Sequence, residues 1–428
     1  MFCDLETIYN VSILKKLLKG EKDKVKRLRD AVEKIYSDSK SSICNKNLKE
    51  ALIDSSALES FIDGDITLTN EYKELYHKAN NDLLSPYVNE RQKEAIVKCL
   101  LSDDLFIVQG PPGTGKSTAI AELIWQHLTN NKYEGRYRIL VTSETNLAVD
   151  NALDKLRSKS HLLMKPIRFG NAEKLDSEGR RFSLEAINSW KSDQWESEDS
   201  LIVDDWIVLI NKRCENSTNN PYINQWKNHL TEKKIVLREY MYQSYLSNCN
   251  VIGATCSSMG KINSEGKFTR FFQEYTNVFY PEVLERFKSS PNHSTATALK
   301  SKEIEFELAI QDEASKASPP ELALPFTFGK KAVIIGDHRQ LPPMIDTNEF
   351  IESLGYLKDK SKDDKQVKKI SELIRFIKRN REGFEQSHFE KLFKNIDLNL
   401  KSTFDTQYRM HPAINETIKQ FYKGDFED

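Results

Sequence analysis

The feature of this sequence that most constrains its fold is a glycine-rich loop directly after a short apolar run. The run LFIV occupies residues 105–108, and the loop GPPGTGKS at residues 110–117 matches the pattern G-x-x-x-x-G-K-[ST] at every fixed position. Glycines let backbone N–H groups approach an anion without a Cβ in the way. Apolar residues then recur at helical spacing, as Ile120, Leu123, Ile124 and Leu128. The stretch therefore predicts a strand, a phosphate-binding loop and a helix.

The chemistry of this loop predicts ATP with Mg²⁺ as its ligand. Lys116 would reach the β- and γ-phosphates, and the Ser117 hydroxyl would bind the metal. The loop also opens a helix, whose N-terminal dipole favours an anion. The residues expected to contact the nucleotide here are Gly110, Pro111, Pro112, Gly113, Thr114, Gly115, Lys116, Ser117 and Thr118. An ordinary glycine turn between a strand and a helix is the alternative interpretation.

Acidic residues follow a second predicted strand. Apolar residues alternate through FELAIQ at residues 306–311, and Asp312 and Glu313 come next. Asp312 would hold Mg²⁺, directly or through water, and Glu313 would orient or deprotonate the attacking water. The alternative is a strand end with two solvated acids. Gln311 is unusual, because an apolar residue is expected at that position of a buried strand.

A third predicted strand ends close to the same edge. The run AVII at residues 332–335 is followed by Gly336, Asp337 and Gln340. Continuous apolar runs are typical of parallel strands that are buried on both faces, and ligands collect at the carboxyl ends of such strands. Gln340 is therefore expected near the phosphates. Its alternative role is a hydrogen bond within the turn before the two prolines.

Composition excludes several other classes of protein. Hydrophobic residues make up 39% and charged residues 30% of the 428 residues, and no apolar run reaches the roughly 20 residues that span a bilayer. The six cysteines are scattered without a C-x-x-C pair, and the acidic start lacks a signal-peptide pattern. We therefore expect a cytoplasmic protein with reduced thiols and no membrane contact. Because the net charge is −1, a polyanion would have to be bound by local positive patches.

At this point the sequence resembles superfamily 1 helicases, and within them the up-frameshift-like branch. The resemblance implies an α/β fold, namely a RecA-like P-loop NTPase domain with a parallel sheet and helices on both faces, plus a mainly helical N-terminal region and helical insertions. It covers about residues 86–171, 249–260, 304–346 and 387–428. The matching stretches, in order, are VNERQKEAIVKCL, GPPGTGKST, RILVTSETNLAVDNAL, NVIGATCSSMG, QDEAS, GDHRQLPP, QYRMHPAINE and FYKGDF.

The resemblance implies further nucleotide contacts. Gln92 would read the adenine edge and Tyr408 would stack on the adenine ring. Gln340 would sense the γ-phosphate, and Arg409 would touch it. These residues also have structural alternatives: Asn89 with Gln92 fits a helix capping box, and Tyr408 could belong to the core.

The resemblance also implies contacts with the backbone of a nucleic acid. The residues concerned are Thr142, Ser143, Asn146 and Thr255. Thr142 and Ser143 directly follow the apolar run at residues 139–141, so that they could equally be ordinary turn residues. The motifs do not distinguish RNA from DNA, because contacts with a 2′-hydroxyl cannot be identified from these letters.

The domain organisation is predicted from the motifs and from the polar segments between them. The expected parts are a helical stalk or cap at 1–85, the first part of the motor at 86–171, a helical insertion at 172–248, the motor continued at 249–346 with an insertion at 261–303, a basic amphipathic insertion at 347–386, and the end of the first RecA-like domain at 387–428. The second RecA-like domain of the family, with its arginines, and the family's β-barrel insertion have no counterpart in these residues. We expect the second domain in a longer protein or in a partner chain.

Three segments outside the motifs have patterns of their own. Val25, Leu28, Val32 and Ile35 predict a narrow helical seam. Trp190, Trp195, Trp206 and Trp226 lie in the 172–248 insertion, where a small separate core is favoured over base stacking. Ile370, Leu373, Ile374 and Ile377 form an apolar stripe in the basic insertion, which predicts a docked helix. Its outer charges would be solvated or would neutralise phosphates.

These patterns lead to two functional hypotheses. The first is an ATP-dependent helicase or translocase motor that acts on single-stranded RNA or DNA, moves 5′ to 3′ when complete, and has protein partners at its helical insertions. The second is a nucleotide-binding regulatory or scaffolding half-motor with little turnover of its own. A P-loop kinase or GTPase is disfavoured, because QYRMHP has no role there.

Overall fold

The computed structural model describes residues 11–36, 46–57, 64–130, 137–158, 163–189, 242–341, 347–381 and 387–422. Its centre is a seven-stranded sheet with the order β3-β4-β2-β5-β6-β1-β7, in which all paired strands are parallel. The strands are β1 Leu105–Gln109, β2 Ile139–Ser143, β3 Pro166–Arg168, β4 Val251–Thr255, β5 Phe306–Gln311, β6 Gly329–Gly336 and β7 Lys401–Thr403.

Helices cover both faces of this sheet and form the additional segments. Before β1 lie α1 Val11–Tyr36, α2 Lys46–Ile53, α3 Asn70–Asn81 and α4 Glu90–Leu101. Between β1 and β4 lie α5 Lys116–Thr129, α6 Asn146–Asp154, α7 Ser177–Arg180 and α8 Leu184–Ser189. Between β4 and β6 lie α9 Arg270–Phe279, α10 Pro281–Ser289, α11 His293–Lys300 and α12 Pro319–Phe326. After β6 come α13 Thr347–Lys360, α14 Asp364–Arg379, α15 His388–Asn395 and α16 Pro412–Lys419.

The sheet separates two apolar cores because successive strand residues point to opposite faces. In β5, Ala309 packs in the core that receives α2, α9 and α15, whereas its neighbour Leu308 packs in the core that receives α4, α5 and α6. Both strand residues are fully buried. The apolar runs predicted as strands β1, β5 and β6 are confirmed, as is the parallel sheet with helices on both faces.

Two local predictions are wrong. Thr142 and Ser143 do not lie in a turn past the apolar run, because β2 continues through Ser143 and pairs with β4 up to Thr255. The narrow helical seam of α1 is also incomplete. Val25 is 62% exposed, whereas Leu28 packs against the main core and Ile35 is buried in it, so that the predicted stripe packs except at Val25.

The three insertions have different outcomes. The four tryptophans of the 172–248 insertion lie outside the described residues. The 261–303 insertion contains the helices α9, α10 and α11, of which α9 packs its Phe272 and Tyr275 into the core. The 347–386 insertion contains α13 and α14, which pack against each other. No helix among the described residues is long and apolar enough to cross a membrane.

Candidate nucleotide site and nucleic-acid interface

The glycine-rich loop lies between β1 and α5 and needs its glycines for geometric reasons. Gly113 and Gly115 have φ values of 80° and 77°, in the left-handed region that side chains disfavour. A Cβ on Gly110 would lie 2.7 Å from Lys116 Cδ, and one on Gly115 would lie 2.8 Å from Gln92 Nε2. Alanine at either position would therefore collide with another residue of the candidate site.

Hydrogen bonds between residues of the loop stabilise its conformation. The Lys116 ammonium donates to the carbonyl of Gly110 (2.9 Å), and the Thr114 hydroxyl donates to the carbonyl of Pro111 (2.8 Å). Helix α5 begins at Lys116 after Gly115, with no side-chain cap. Its first N–H groups and its dipole are therefore suited to an anion. Ser117 and Thr118 lie half-buried in the first turn of the helix.

Asp312 and Glu313 lie at the carboxyl end of β5, beside the loop. Burial raises the pKa of the Asp312 carboxyl to about 6, the nearby Lys116 charge lowers it, and Glu313 raises it. Since burial outweighs the charges of Lys116 and Lys316, this carboxylate would gain from a further cation. The Glu313 carboxylate is half-buried and forms an ion pair with the Lys316 ammonium (2.8 Å).

The backbone at Glu313 is strained. Its φ of 54° makes it the one described non-glycine residue with a positive φ. Such a conformation costs of order 1–3 kcal/mol and persists only where the surroundings fix it. Here the Asp312 side chain accepts a hydrogen bond from the Glu313 N–H (2.8 Å), and the Asp312 N–H donates to the Thr142 carbonyl (2.9 Å). These two hydrogen bonds hold the strained turn in place.

The donor set at this edge fits Mg²⁺ with a triphosphate. Mg²⁺ prefers oxygen ligands and usually takes only one or two from the protein, with the rest from phosphate and water. The Ser117 hydroxyl and the Asp312 carboxylate are such ligands. Within the part of the chain that the structure describes, no cluster of three or more His, Cys, Asp or Glu residues could hold a metal without phosphate. The buried Asp312 carboxyl with its raised pKa is the group that a cation would neutralise.

One side of the loop is contacted by three residues that bond to it or to one another, namely Gln92, Asn89 and Tyr408. Gln92 completes the capping box of α4: its Oε1 accepts from the Asn89 N–H (3.0 Å), and its Nε2 donates to the Thr114 carbonyl (2.8 Å). The Asn89 side chain donates to the Tyr408 hydroxyl (2.7 Å). The capping alternative for Gln92 is thus observed, and it also fixes the side chain against the loop. Tyr408 is 58% exposed, so the core alternative for it is wrong.

The segment that carries Tyr408 and Arg409 lies directly on the loop. The Tyr408 N–H donates to the Gly113 carbonyl (2.8 Å), and a Cβ on Gly113 would lie 3.0 Å from Arg409 Cβ. Strand β7 brings the segment there by pairing with β1, and the Phe404 N–H donates to the Gln109 carbonyl (2.9 Å). The exposed Arg409 side chain therefore begins beside the backbone of the glycine-rich loop.

Gln340 belongs to a buried network centred on Asp337, which the sequence did not reveal. The Asp337 carboxylate accepts from Gln340 Nε2 (3.0 Å), Gln109 Nε2 (2.6 Å) and the Tyr422 hydroxyl (2.6 Å). Gln109 in turn accepts from the His338 N–H (3.1 Å). An acid after an apolar run was visible in the sequence as Gly336-Asp337. Gln340 lies in the same turn, as its alternative role predicted, whereas Gln109 and Tyr422 come from distant segments and were not predictable.

The four residues expected to contact nucleic acid lie at the carboxyl edge of neighbouring strands. Thr142 and Ser143 end β2, Thr255 pairs with Ser143, and Asn146 begins α6. Thr142 and Ser143 are fully buried, whereas Thr255 and Asn146 are partly exposed. Backbone contacts of the first two would require the edge to open.

Asn146 is oriented by a buried ion pair that the sequence also did not reveal. Arg168 of β3 is 1% exposed and donates from Nε to the Asp150 carboxylate (2.7 Å). Its Nη2 donates to Asn146 Oδ1 (2.8 Å). A buried charge that loses its partner costs several kcal/mol, so this pair rigidly joins α6 to β3.

Gln311 remains unusual in the structure. It is fully buried beside Asp312, and neither its Nε2 nor its Oε1 has a hydrogen-bond partner among the described residues. The Thr142 hydroxyl, at the paired position of β2, is buried without a partner as well. Each such group costs about 1–3 kcal/mol of stability.

We expect Gln311→Met to raise the free energy of unfolding by about 1–3 kcal/mol, because it removes two unsatisfied polar atoms at similar side-chain volume. Thermal melting without nucleotide measures this. Gln109→Met is the matched control: Gln109 is equally buried, but its amide is bonded to Asp337 and His338, so that its loss should lower stability. Equal losses in both variants would mean that the Gln311 amide is paired in solution.

Comparison with known proteins decides the family. A family model described as an AAA domain matches residues 87–268 and 291–348, which together exceed half of the chain. The chain belongs to this family. The motifs and the relatives place it in the up-frameshift-like branch of superfamily 1 helicases.

Three of the proteins similar to this superfamily 1 helicase chain come from an archaeon and two yeasts. An uncharacterized ATP-dependent helicase of Methanocaldococcus jannaschii is 27% identical over 79% of this chain and 45% of its own length. DNA polymerase alpha-associated DNA helicase A of Saccharomyces cerevisiae is 28% identical over 62% of this chain and 34% of its own. ATP-dependent helicase upf1 of Schizosaccharomyces pombe is 26% identical over 80% of this chain and 28% of its own. The chain spans less than half the length of these relatives.

Proposed function

We propose that this chain is the nucleotide-binding half of an ATP-driven motor that moves 5′ to 3′ on single-stranded RNA or DNA. The observation that carries the proposal is the convergence of two distant segments on the loop that contains Lys116. Lys116, the Asp312–Glu313 turn and the segment of Tyr408 and Arg409 all lie at the carboxyl edge of the sheet, around the glycine-rich backbone. A simple glycine turn needs none of these neighbours.

Each residue has a role that follows from its position. Lys116 and the backbone of residues 110–118 bind the phosphates, with Ser117 and Asp312 as the metal ligands. Bound Mg²⁺ would neutralise charge on the phosphate oxygens. Glu313 accepts a proton from water, and Gln340 and Arg409 lie on the γ-phosphate side. Gln92 and the exposed face of Tyr408 hold the adenine.

Nucleic acid is proposed to contact the edge formed by Thr142, Ser143, Asn146 and Thr255. The Asp312 N–H bonds to the Thr142 carbonyl, so a displacement of β2 at this point acts directly on the metal-binding turn. Relatives whose names include an RNA or a DNA helicase fit either polymer. We place the protein in the cytoplasm, which fits the buried free thiols of Cys99, Cys249 and Cys256.

The second candidate function is a half-motor that binds nucleotide and scaffolds a partner. The exposed positions of Tyr408 and Arg409 favour a second RecA-like domain across the loop, in the same protein or in a partner chain. Helical insertions such as α13 and α14 supply surfaces for protein partners. The rate of ATP hydrolysis separates this hypothesis from the first, because a scaffolding half-motor would hydrolyse little ATP.

We expect residues 1–428 alone to bind ATP with Mg²⁺ weakly, to hydrolyse it slowly and to unwind nothing. An arginine that reaches the γ-phosphate from another domain is worth roughly 10³–10⁵ in turnover in related P-loop enzymes. Phosphate release with and without a single-stranded oligonucleotide measures the rate. The matched arm adds the second domain, which should restore stimulation. Strong stimulated turnover by the chain alone would show that its ATP site is complete.

A further inference from the structure

A cationic surface runs along α14 and has no role in the candidate site above. Five cations and one aromatic residue recur at i, i+3 and i+4 spacing, so that they share one face of the helix. We call this the α14 face, and it consists of Lys365, Lys368, Lys369, Arg375, Phe376 and Arg379. All six side chains are exposed. The face extends roughly 21 Å along the helix axis.

The orientation of this face is fixed by the opposite side of α14. Ile377 there is fully buried, and Ile370 and Ile374 are partly buried, while α14 packs on α13. Leu373 is 40% exposed and therefore packs only in part. The predicted apolar stripe is thus confirmed at Ile370, Ile374 and Ile377, and it packs against protein. The cations consequently point away from the hairpin.

The charge of this segment stands out in a chain with a net charge of −1. Residues 363–381 contain seven Lys and Arg residues and three Asp and Glu residues. On the face itself Glu372 is the one acid. Within the described ranges, no ion pair involves Lys365, Lys368 or Arg375. A positive field of this kind is free to act on a polyanion.

The exposed aromatic residue of the α14 face favours single-stranded nucleic acid over other polyanions. Phe376 is 55% exposed, with Arg375 and Arg379 close to it on the face. Exposed aromatic rings among cations are the pattern by which proteins bind single strands, because phosphates meet the cations and bases stack on the ring. A membrane surface would require a broad exposed apolar side. The apolar side of α14 is already packed on α13.

The insertion that contains the hairpin of α13 and α14 is flanked by residues that lie next to the candidate catalytic turn. It follows β6 and its Asp337, and it is followed by Ser387. The Ser387 hydroxyl donates to the Ser315 carbonyl (3.1 Å), and the Asp337 N–H donates to the Ser315 hydroxyl (3.3 Å). Ser315 lies two residues after Glu313. Asp337, before the insertion, and Ser387, after it, therefore both contact Ser315 beside the Asp312–Glu313 turn.

We propose that the α14 face is a second binding surface for single-stranded nucleic acid, outside the motifs, which holds the phosphates with its cations and stacks a base on Phe376. The proposal rests on the proposed function, in that the chain must bind a single strand at all. A strand held there is tethered to the segment between β6 and β7, whose flanking residues Asp337 and Ser387 both contact Ser315.

The test is fluorescence anisotropy of labelled 20-nucleotide dT and U oligomers with the 1–428 chain over a series of salt concentrations. The variant Lys365→Gln, Lys368→Gln, Arg375→Gln should weaken binding at low salt at least tenfold. It should also reduce the slope of log K against log salt by about 2, because each lost phosphate contact contributes roughly 0.7 for a single strand. ATP-analogue binding should stay unchanged.

A matched control replaces three exposed cations elsewhere, as Lys73→Gln, Lys78→Gln, Arg286→Gln. The net charge falls by the same amount, and binding should change less than twofold. Phe376→Leu keeps an apolar side chain but removes the ring, and it should weaken binding roughly 5-fold or more at constant salt slope. Helix content by circular dichroism verifies that α14 persists in each variant.

Three results would overturn the proposal. If the wild-type chain binds no oligomer, the nucleic-acid part of the proposed function fails with it. If the wild type binds and the α14 variant matches its control, only the α14 face is wrong. If poly-glutamate or vesicles of anionic lipid compete as strongly as the oligomers, the face is a general polyanion surface. Loss of binding confined to the α14 and Phe376 variants supports the proposal.

Discussion

Lys116→Ala is expected to reduce the affinity for ATP by one to two orders of magnitude. The ammonium of Lys116 lies in the loop, bonded to the Gly110 carbonyl, and a phosphate oxygen would replace that neutral acceptor with a charged one. Hydrogen bonds to charged groups contribute about 1.5–3 kcal/mol, and each 1.4 kcal/mol corresponds to a factor of ten in Kd. Titration with a fluorescent ATP analogue in the presence of Mg²⁺ measures the change.

The control for charge is Lys330→Ala. Lys330 is an exposed lysine at the start of β6, at the opposite edge of the sheet, and it forms a long ion pair with Glu307 (3.7 Å). The Lys330→Ala variant lowers the net charge by the same amount as Lys116→Ala but leaves the loop unchanged, so that the affinity for nucleotide should stay the same. Unchanged binding in Lys116→Ala would contradict the assignment of the loop as a phosphate site.

Glu313→Gln is expected to lower the rate of ATP hydrolysis by two to four orders of magnitude while ATP still binds. The amide keeps the shape of the side chain and leaves Asp312 for the metal, but it cannot accept the proton from water. The measurement is single-turnover hydrolysis in the protein with both RecA-like domains, together with nucleotide affinity. A parallel loss of binding and turnover would assign Glu313 a structural role.

The variant Lys316→Gln separates proton transfer from loss of the ion pair. Lys316 is half-exposed and pairs with the Glu313 carboxylate at 2.8 Å, so its replacement removes the pair and leaves the carboxylate. Because exposed pairs are worth at most about 1 kcal/mol, hydrolysis should change less than tenfold. A collapse comparable to that of Glu313→Gln would mean that the ion pair, rather than the proton acceptor, is essential.

Local features of the sequence predicted the central part of the site. The strand, loop and helix at residues 105–129 follow from apolar runs, glycines and helical spacing that lie within one short stretch. Asp312 and Glu313 were predictable for the same reason, since they directly follow a buried strand. The end of β2 was not predictable, because Thr142 and Ser143 are polar residues whose strand conformation depends on pairing with β4.

Features that depend on distant contacts were outside the reach of sequence patterns. The Asp337 network joins residues of β1, the segment after β6 and Tyr422 near the end of the described chain. The left-handed conformation of Glu313 is equally hidden, since no residue type marks it. For Gln311 the sequence indicated an irregular position, and the structure shows why, as its amide is buried without a partner.

The strand order has a consequence for how the protein is made. Strand β1, which carries the glycine-rich loop, is an early segment, yet its neighbours are late: Leu105 pairs with Ala332 and Val108 pairs with Ser402. During synthesis both edges of β1 therefore lack their hydrogen-bonding partner strands until β6 and β7 have left the ribosome. Such long-range pairing is slow and exposes apolar strands to aggregation. The edge of the sheet that carries the candidate ATP site is consequently completed only after residues 401–403 have been synthesised, and until then the apolar residues of β1 are open to aggregation.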